Sequence, residues 1–146
     1  LDQVTDPHNV GAIMRSAVAL GADALLTPTR HTATETGVLA KAASGALDML
    51  THIEVVNLAR SLTTLRKEGF TVVGLDSEGP APLEETDVGR RTVLVLGAEG
   101  KGLRPVTREA CDHLARIDVP GQIKSLNVSN AAVLSLYVVG RKQAGA

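Results

Sequence analysis

Five short apolar runs, Ala24–Thr27, Ile53–Val56, Thr71–Leu75, Val93–Leu96 and Ala115–Val119, alternate along this chain with stretches of helical period. Runs this brief and this rich in Val, Leu and Ile read as strands. Strands joined through helices pair in parallel, with the helices covering the sheet. The predicted fold is therefore α/β, a mainly parallel sheet flanked by helices. Asn9 is placed to cap a helix reaching about Leu20, with Gly21 as its stop, and Asn57 to cap Leu58–Glu68, closed by Gly69. A further helix is predicted over Thr36–Ala43 and a short one after Thr107. Ser77–Gly89, with two prolines and several acids, reads as a surface loop. The last helix, Ser129–Val139, is apolar on nearly every side, which predicts burial on both faces. A second copy of the chain or a further domain would supply the cover.

At 146 residues the chain is one domain's length, and its net charge of -1 excludes a histone-like or tail-driven nucleic-acid binder. Phe70 and Tyr137 are the only aromatics, so bases are not held on an aromatic platform. Cys111 stands alone, which excludes an internal disulfide and a multi-cysteine metal site. His8, His31, His52 and His113 lack metal-ligand spacing, so no metal is expected. No apolar run reaches a membrane span and no signal-peptide pattern opens the chain. A cytoplasmic protein is the expectation. The start at Leu1, directly on a motif, reads as a domain cut from a longer protein.

Three clusters break the local pattern. In Asp6-Pro7-His8-Asn9-Val10-Gly11-Ala12-Ile13-Met14-Arg15, residues Val10, Ile13, Met14, Ala17 and Val18 share a helix face while Arg15 points off it. Gly11 inside the first turns implies close approach, since glycine there costs up to about 1 kcal/mol relative to alanine. In Leu94-Val95-Leu96-Gly97-Ala98-Glu99-Gly100-Lys101-Gly102, a strand runs into a glycine-rich turn. The spacing fails the dinucleotide fingerprint, and Lys101 lacks the following Ser or Thr of a phosphate loop. What remains is either bare backbone approaching a ligand at the carboxyl end of a strand or a tight connection with positive φ angles. In Pro120-Gly121-Gln122-Ile123-Lys124-Ser125-Leu126-Asn127-Val128-Ser129-Asn130, four small polar residues introduce the last helix where one would cap it. A helix N-terminus also suits a polar ligand.

Together these clusters resemble the SpoU family of RNA ribose 2′-O-methyltransferases, in the SPOUT superfamily. Asp6-Pro7-x-Asn9-x-Gly11-x-x-x-Arg15 is similar to its first motif, Gly97-Ala98-Glu99-Gly100-x-Gly102 to its second, and Ser125-Leu126-Asn127-Val128-Ser129-Asn130-Ala131-Ala132 to its third. The stretch Glu35-Thr36-Gly37-Val38-Leu39 and the wording of the second motif look most like bacterial enzymes acting on a guanosine ribose of 23S ribosomal RNA. Transfer-RNA and antibiotic-resistance targets are the alternatives within the family. A different nucleotide-binding α/β enzyme and a catalytically dead RNA-binding module are the alternatives outside it.

The resemblance implies a deep C-terminal trefoil knot, a homodimer with the last helix in its interface, and S-adenosylmethionine as cofactor. It matches Gly97, Ile117 and Leu126 to cofactor-binding positions, with Leu96, Glu99, Gly100, Val119, Pro120, Gly121, Ser125 and Asn127 around them. Gly97 is expected to let backbone approach the adenosine. It also implies an N-terminal RNA-binding domain outside this chain, leaving local attraction of RNA to Arg15, Arg30, Lys41, Lys101, Arg104 and Lys124. The catalytic candidates are Arg15, Asn9, Glu99, Ser125 and Asn127. Arg15 is implied to activate the hydroxyl, but a guanidinium stays protonated in proteins. Holding a phosphate and stabilising a developing alkoxide is the other role open to it. Asn9 would position Arg15 or the ribose, while Ser125 and Asn127 would orient substrate and shape the pocket. Glu99 would orient donors or offset positive charge.

Overall fold

The structure, a computed structural model, describes residues 1–29, 41 and 45–145. Its elements are α1 (Pro7–Ala19), β1 (Ala24–Pro28), β2 (Thr51–Val55), α2 (Leu58–Lys67), β3 (Thr71–Leu75), β4 (Ala81–Pro82), β5 (Thr92–Val95), α3 (Pro105–Glu109), β6 (His113–Arg116) and α4 (Val128–Ala144), with 3-10 turns at Ala46–Asp48 and Leu83–Glu85. Among the described residues every pairing between strands is parallel. One pair is β1–β2, and a four-stranded sheet runs β4-β6-β3-β5. Residues 1–4 join the two sheets. The Leu1 nitrogen donates to the Leu26 carbonyl and the Asp2 N–H to that of Leu96, each at 2.8 Å. Among the described residues no helix is long and apolar enough to cross a membrane.

The α/β prediction holds, and its punctuation is largely where the sequence put it. Asn57 caps α2, its side chain accepting from Arg60 N–H at 3.0 Å. Gly21 and Gly69, at φ 80° and 95°, turn the chain out of α1 and α2. Val10, Ile13, Met14 and Ala17 are buried, and Arg15 is exposed.

Five expectations need correction. Asp6, not Asn9, caps α1, accepting from His8 N–H at 2.9 Å with Pro7 at the first helical position. The sixth strand ends at Arg116 rather than Val119, because its neighbours β3 and β4 end at Leu75 and Pro82, opposite Ala115 and Arg116. Ser77–Gly89 is more than a surface loop: it contributes edge strand β4 and buries Leu83 and Val88 in the core under α4. The last helix runs five residues past Val139, and the helix after the glycine-rich turn starts at Pro105, before Thr107. The helix expected over Thr36–Ala43 (Lys41 apart), the stretch Glu35–Leu39 and Arg30 lie outside the described residues.

Candidate functional site

The glycine-rich turn follows β5 directly. Leu96 is buried, and Gly97 lies beside Asp2 in a parallel bridge. The turn closes on itself, with Gly102 N–H donating to the Ala98 carbonyl at 2.8 Å. A Cβ on Gly97 would stand 2.3 Å from both the carbonyl carbon and oxygen of Gly102 and 2.6 Å from the Leu103 nitrogen. The turn's own backbone therefore requires glycine at position 97, a reason separate from the expected approach of a ligand. Gly102 adds a φ of 65°, a conformation that favours glycine.

Behind the turn lies a pair of residues whose roles the sequence did not reveal. The Asp2 carboxylate, fully buried, accepts from Arg104 Nε at 2.7 Å and from Arg104 N–H at 2.9 Å. The pair ties the N-terminal segment to the start of α3, across 102 residues. The available signal was the charge inside the apolar run Leu1-Asp2-Gln3-Val4, since a buried carboxylate needs a partner.

One polar residue from each of the three motifs meets the others at the N-terminus of α4, where that helix packs against α1. Asn127 Nδ2 donates to Glu99 Oε1 at 2.7 Å and to Asn9 Oδ1 at 3.1 Å. The same Glu99 oxygen accepts from Val128 N–H at 3.1 Å. Asn127 is also the N-cap of α4, its Oδ1 accepting from Ser129 N–H at 2.9 Å. Glu99 thus lies where the helix dipole and an unpaired N–H favour an anion. Asn9 is left free for this cluster because Asp6 has taken over the capping of α1.

The remaining catalytic candidates are not drawn into this cluster. Arg15 is six residues beyond Asn9 on α1, about 9 Å along the axis and about 240° round it. It is exposed, and no hydrogen bond joins it to Asn9, Glu99 or Asn127. Ser125 is also exposed and unbonded to them. Of the other cofactor candidates, Ile117 and Val119 are half-buried, while Gly100, Pro120 and Gly121 are exposed and Leu126 sits at the exposed margin.

The loop leading into the cluster is largely exposed. Among the described residues, no backbone–backbone hydrogen bond engages 118–126, and Lys124 Nζ donating to the Val119 carbonyl at 3.1 Å is the side-chain tie across it. Buried backbone groups must find partners, whereas these face outward. Here a run of them is open, with Leu126 and the 80% exposed Ile123 among them. Such a segment suits a ligand with hydrogen-bonding edges and an apolar ring. Among the described residues, no three His, Cys, Asp or Glu side chains are grouped to hold a metal ion.

Comparison with known proteins gives a consistent picture. The SpoU rRNA Methylase family matches residues 1–137. The 23S rRNA (guanosine-2′-O-)-methyltransferase RlmB of Pseudomonas aeruginosa is 45% identical over 143 residues, covering 98% of this chain and 58% of that protein. The enzyme of the same name from Xanthomonas campestris pv. campestris is 45% identical over 146 residues, covering 100% and 59%. The chain thus spans less than two thirds of the length of these relatives. Among solved structures, the SpoU methyltransferase AviRb from Streptomyces viridochromogenes in complex with AdoMet is similar with a TM-score of 0.90 at 31% identity, covering 99% of this chain and 59% of that one. The A. aeolicus TrmH/SpoU tRNA modifying enzyme is similar with a TM-score of 0.85 at 28% identity, covering 99% and 73%.

Proposed function

The chain belongs to the SpoU rRNA methylase family, and we propose from this that it transfers a methyl group from S-adenosylmethionine to a ribose 2′-hydroxyl of RNA, with a guanosine of 23S ribosomal RNA as target. The observation that carries the reading is the joining of Asn9, Glu99 and Asn127, one from each motif, at a helix N-terminus beside an open-backbone loop. The target follows the relatives at 45% identity, whose names specify that guanosine. In this reading residues 1–146 form the methyltransferase domain, the loops around residues 97–102 and 117–127 take part in a trefoil knot, and the protein works on ribosomal RNA in the cytoplasm.

The residues present fit the cofactor. The unpaired backbone of 118–126 offers donors and acceptors to an adenosine, and Ile117, Val119 and Leu126 supply apolar surface for its ring, with the buried Leu96 leading into the glycine-rich turn. Gly97, Gly100, Pro120 and Gly121 shape the two loops. When bound, S-adenosylmethionine supplies an electrophilic methyl on a sulfonium, leaving the protein to align the 2′-hydroxyl and manage its proton. Glu99 and Asn127 hold each other in register through their shared hydrogen bond, and Asn9 fixes the remaining amide proton of Asn127. Ser125 orients the ribose. Arg15 holds RNA phosphate and stabilises oxyanion character as the hydroxyl loses its proton.

The test is methylation of a 23S rRNA transcript and of transfer RNA by the full natural chain with labelled S-adenosylmethionine, followed by mapping of the label. Label on the ribose of one 23S guanosine is expected. Label in transfer RNA alone would replace the target, and no transfer to either RNA would overturn the reading.

We propose further that the protein is a homodimer through α4. Val133, Leu134 and Tyr137 form an exposed stripe at helical spacing, 37%, 43% and 56% accessible. Leu136 and Val138, on other sides of the helix, pack against this chain's own core. Sedimentation equilibrium at micromolar concentration should give twice the chain mass, and Tyr137→Glu should give a folded monomer. A monomeric parent chain would sink the idea.

A further inference from the structure

A cleft of about 660 Å3 opens beside the glycine-rich turn, at the carboxyl ends of β1 and β2. Its walls come from Gln3, Pro28 and Val56, the first turn of α2 with Arg60, and the start of α3 with Arg104. Nothing proposed above for methyl transfer uses it. Yet Gln3 on its wall belongs to the N-terminal segment that joins the two sheets, and Asp2, which orients Arg104, is bridged to Gly97.

Its chemistry points one way. Arg104 spends its backbone N–H and Nε on Asp2, which fixes the guanidinium, and among the described residues no hydrogen bond engages its two Nη groups. Arg60 stands exposed in the first turn of α2, whose N-terminus adds partial positive charge. Among the described residues, Glu109 is the one carboxylate lining the cleft against these two guanidiniums, so the balance there is cationic. Val56 and Val106, 90% and 53% exposed, supply apolar surface on the same walls. Gln3 contributes a carboxamide and is the one non-glycine at positive φ among the described residues, at 62°. Residues held in such sparsely populated conformations cluster at functional sites. One fixed cation, one exposed cation, a carboxamide and apolar patches match a ribose–phosphate backbone, with anionic oxygens and apolar sugar edges in alternation.

We propose that this cleft is a phosphate subsite for the RNA strand flanking the target nucleotide, with Arg60 and Arg104 as its guanidinium contacts. The inference rests on the RNA methyltransferase reading and extends it to substrate recognition. Asp2 is then a positioning residue, aiming Arg104 at the strand.

Arg60 is the residue to change, because altering Arg104 would also orphan the buried Asp2. Binding of the full natural chain to a 23S rRNA transcript is measured between about 50 and 200 mM salt, for the parent, Arg60→Ala, Arg60→Glu and the control Lys67→Ala. Lys67 is exposed on the same helix, away from the cleft. Arg60→Ala should weaken RNA binding about fivefold near physiological salt and lower the salt slope by about one. Arg60→Glu should weaken it further, and Lys67→Ala should do neither. S-adenosylmethionine affinity and turnover at saturating RNA should match the parent in every variant. Unchanged affinity and slope in Arg60→Ala, or an equal loss in Lys67→Ala, would overturn the subsite while leaving the parent's methylation intact. A parent chain that neither binds nor methylates RNA would instead overturn the functional reading, and the subsite with it.

Discussion

Gly97→Val should lower the melting temperature of the protein by about 10 °C, the equivalent of roughly 3 kcal/mol in a domain of this size. The added side chain would begin with a Cβ 2.3 Å from backbone atoms of Gly102. A collision with a flexible side chain is relieved by a rotamer change. A collision with backbone forces the turn itself to open, which breaks the Gly102–Ala98 hydrogen bond and moves Glu99 away from the N-terminus of α4. Stability and S-adenosylmethionine affinity should therefore fall together. Gly121 is the control. Nothing lies within 4 Å of a Cβ built there, so Gly121→Ala should leave the melting temperature unchanged. Calorimetric unfolding with cofactor titration separates the cases. A stable Gly97→Val protein that has lost only cofactor affinity would show that the glycine serves a ligand, not the turn.

Arg15→Ala should reduce single-turnover methylation by about 10²- to 10³-fold, the usual cost of removing one preorganised oxyanion donor. Its stability should stay within about 0.5 kcal/mol of the parent, since Arg15 is exposed and outside the buried face of α1. S-adenosylmethionine affinity should also be unchanged, because an interaction strengthened only as the hydroxyl loses its proton does not act on the ground state. Arg15→Lys keeps the charge but loses the planar fork of donors. Partial recovery with lysine would assign Arg15 a charge role, whereas equal loss would assign it the forked geometry. Near-parental rates in Arg15→Ala would remove it from the mechanism.

Much of this protein was legible in its order of residues because the signals are local. A run such as Thr71–Leu75 is a strand wherever it is placed, and Asn57 with Gly69 marks both ends of a helix by satisfying its terminal backbone groups. The three motifs were legible too, since each concentrates polar or glycine residues against the surrounding apolar pattern. Local signals also misled in specific ways. Asn9 has the chemistry of a cap, but Asp6 has it as well and precedes the proline that starts the helix. Ile117 and Val119 have strand propensity, but a strand needs a neighbour, and β3 and β4 have already ended.

The sequence by itself determined the element types, the parallel α/β class and the residues around which chemistry could gather. Tertiary structure alone decided which of them meet. Asn9, Glu99 and Asn127 become a cluster only because α1, the turn after β5 and α4 converge, bringing together residues up to 118 positions apart. Asp2 finds Arg104, and Gly97 is bound to be glycine, for the same reason. Propensity and capping act within a few residues, whereas the pairing of a buried charge or the crowding of one backbone on another depends on segments that only the folded sheet makes neighbours.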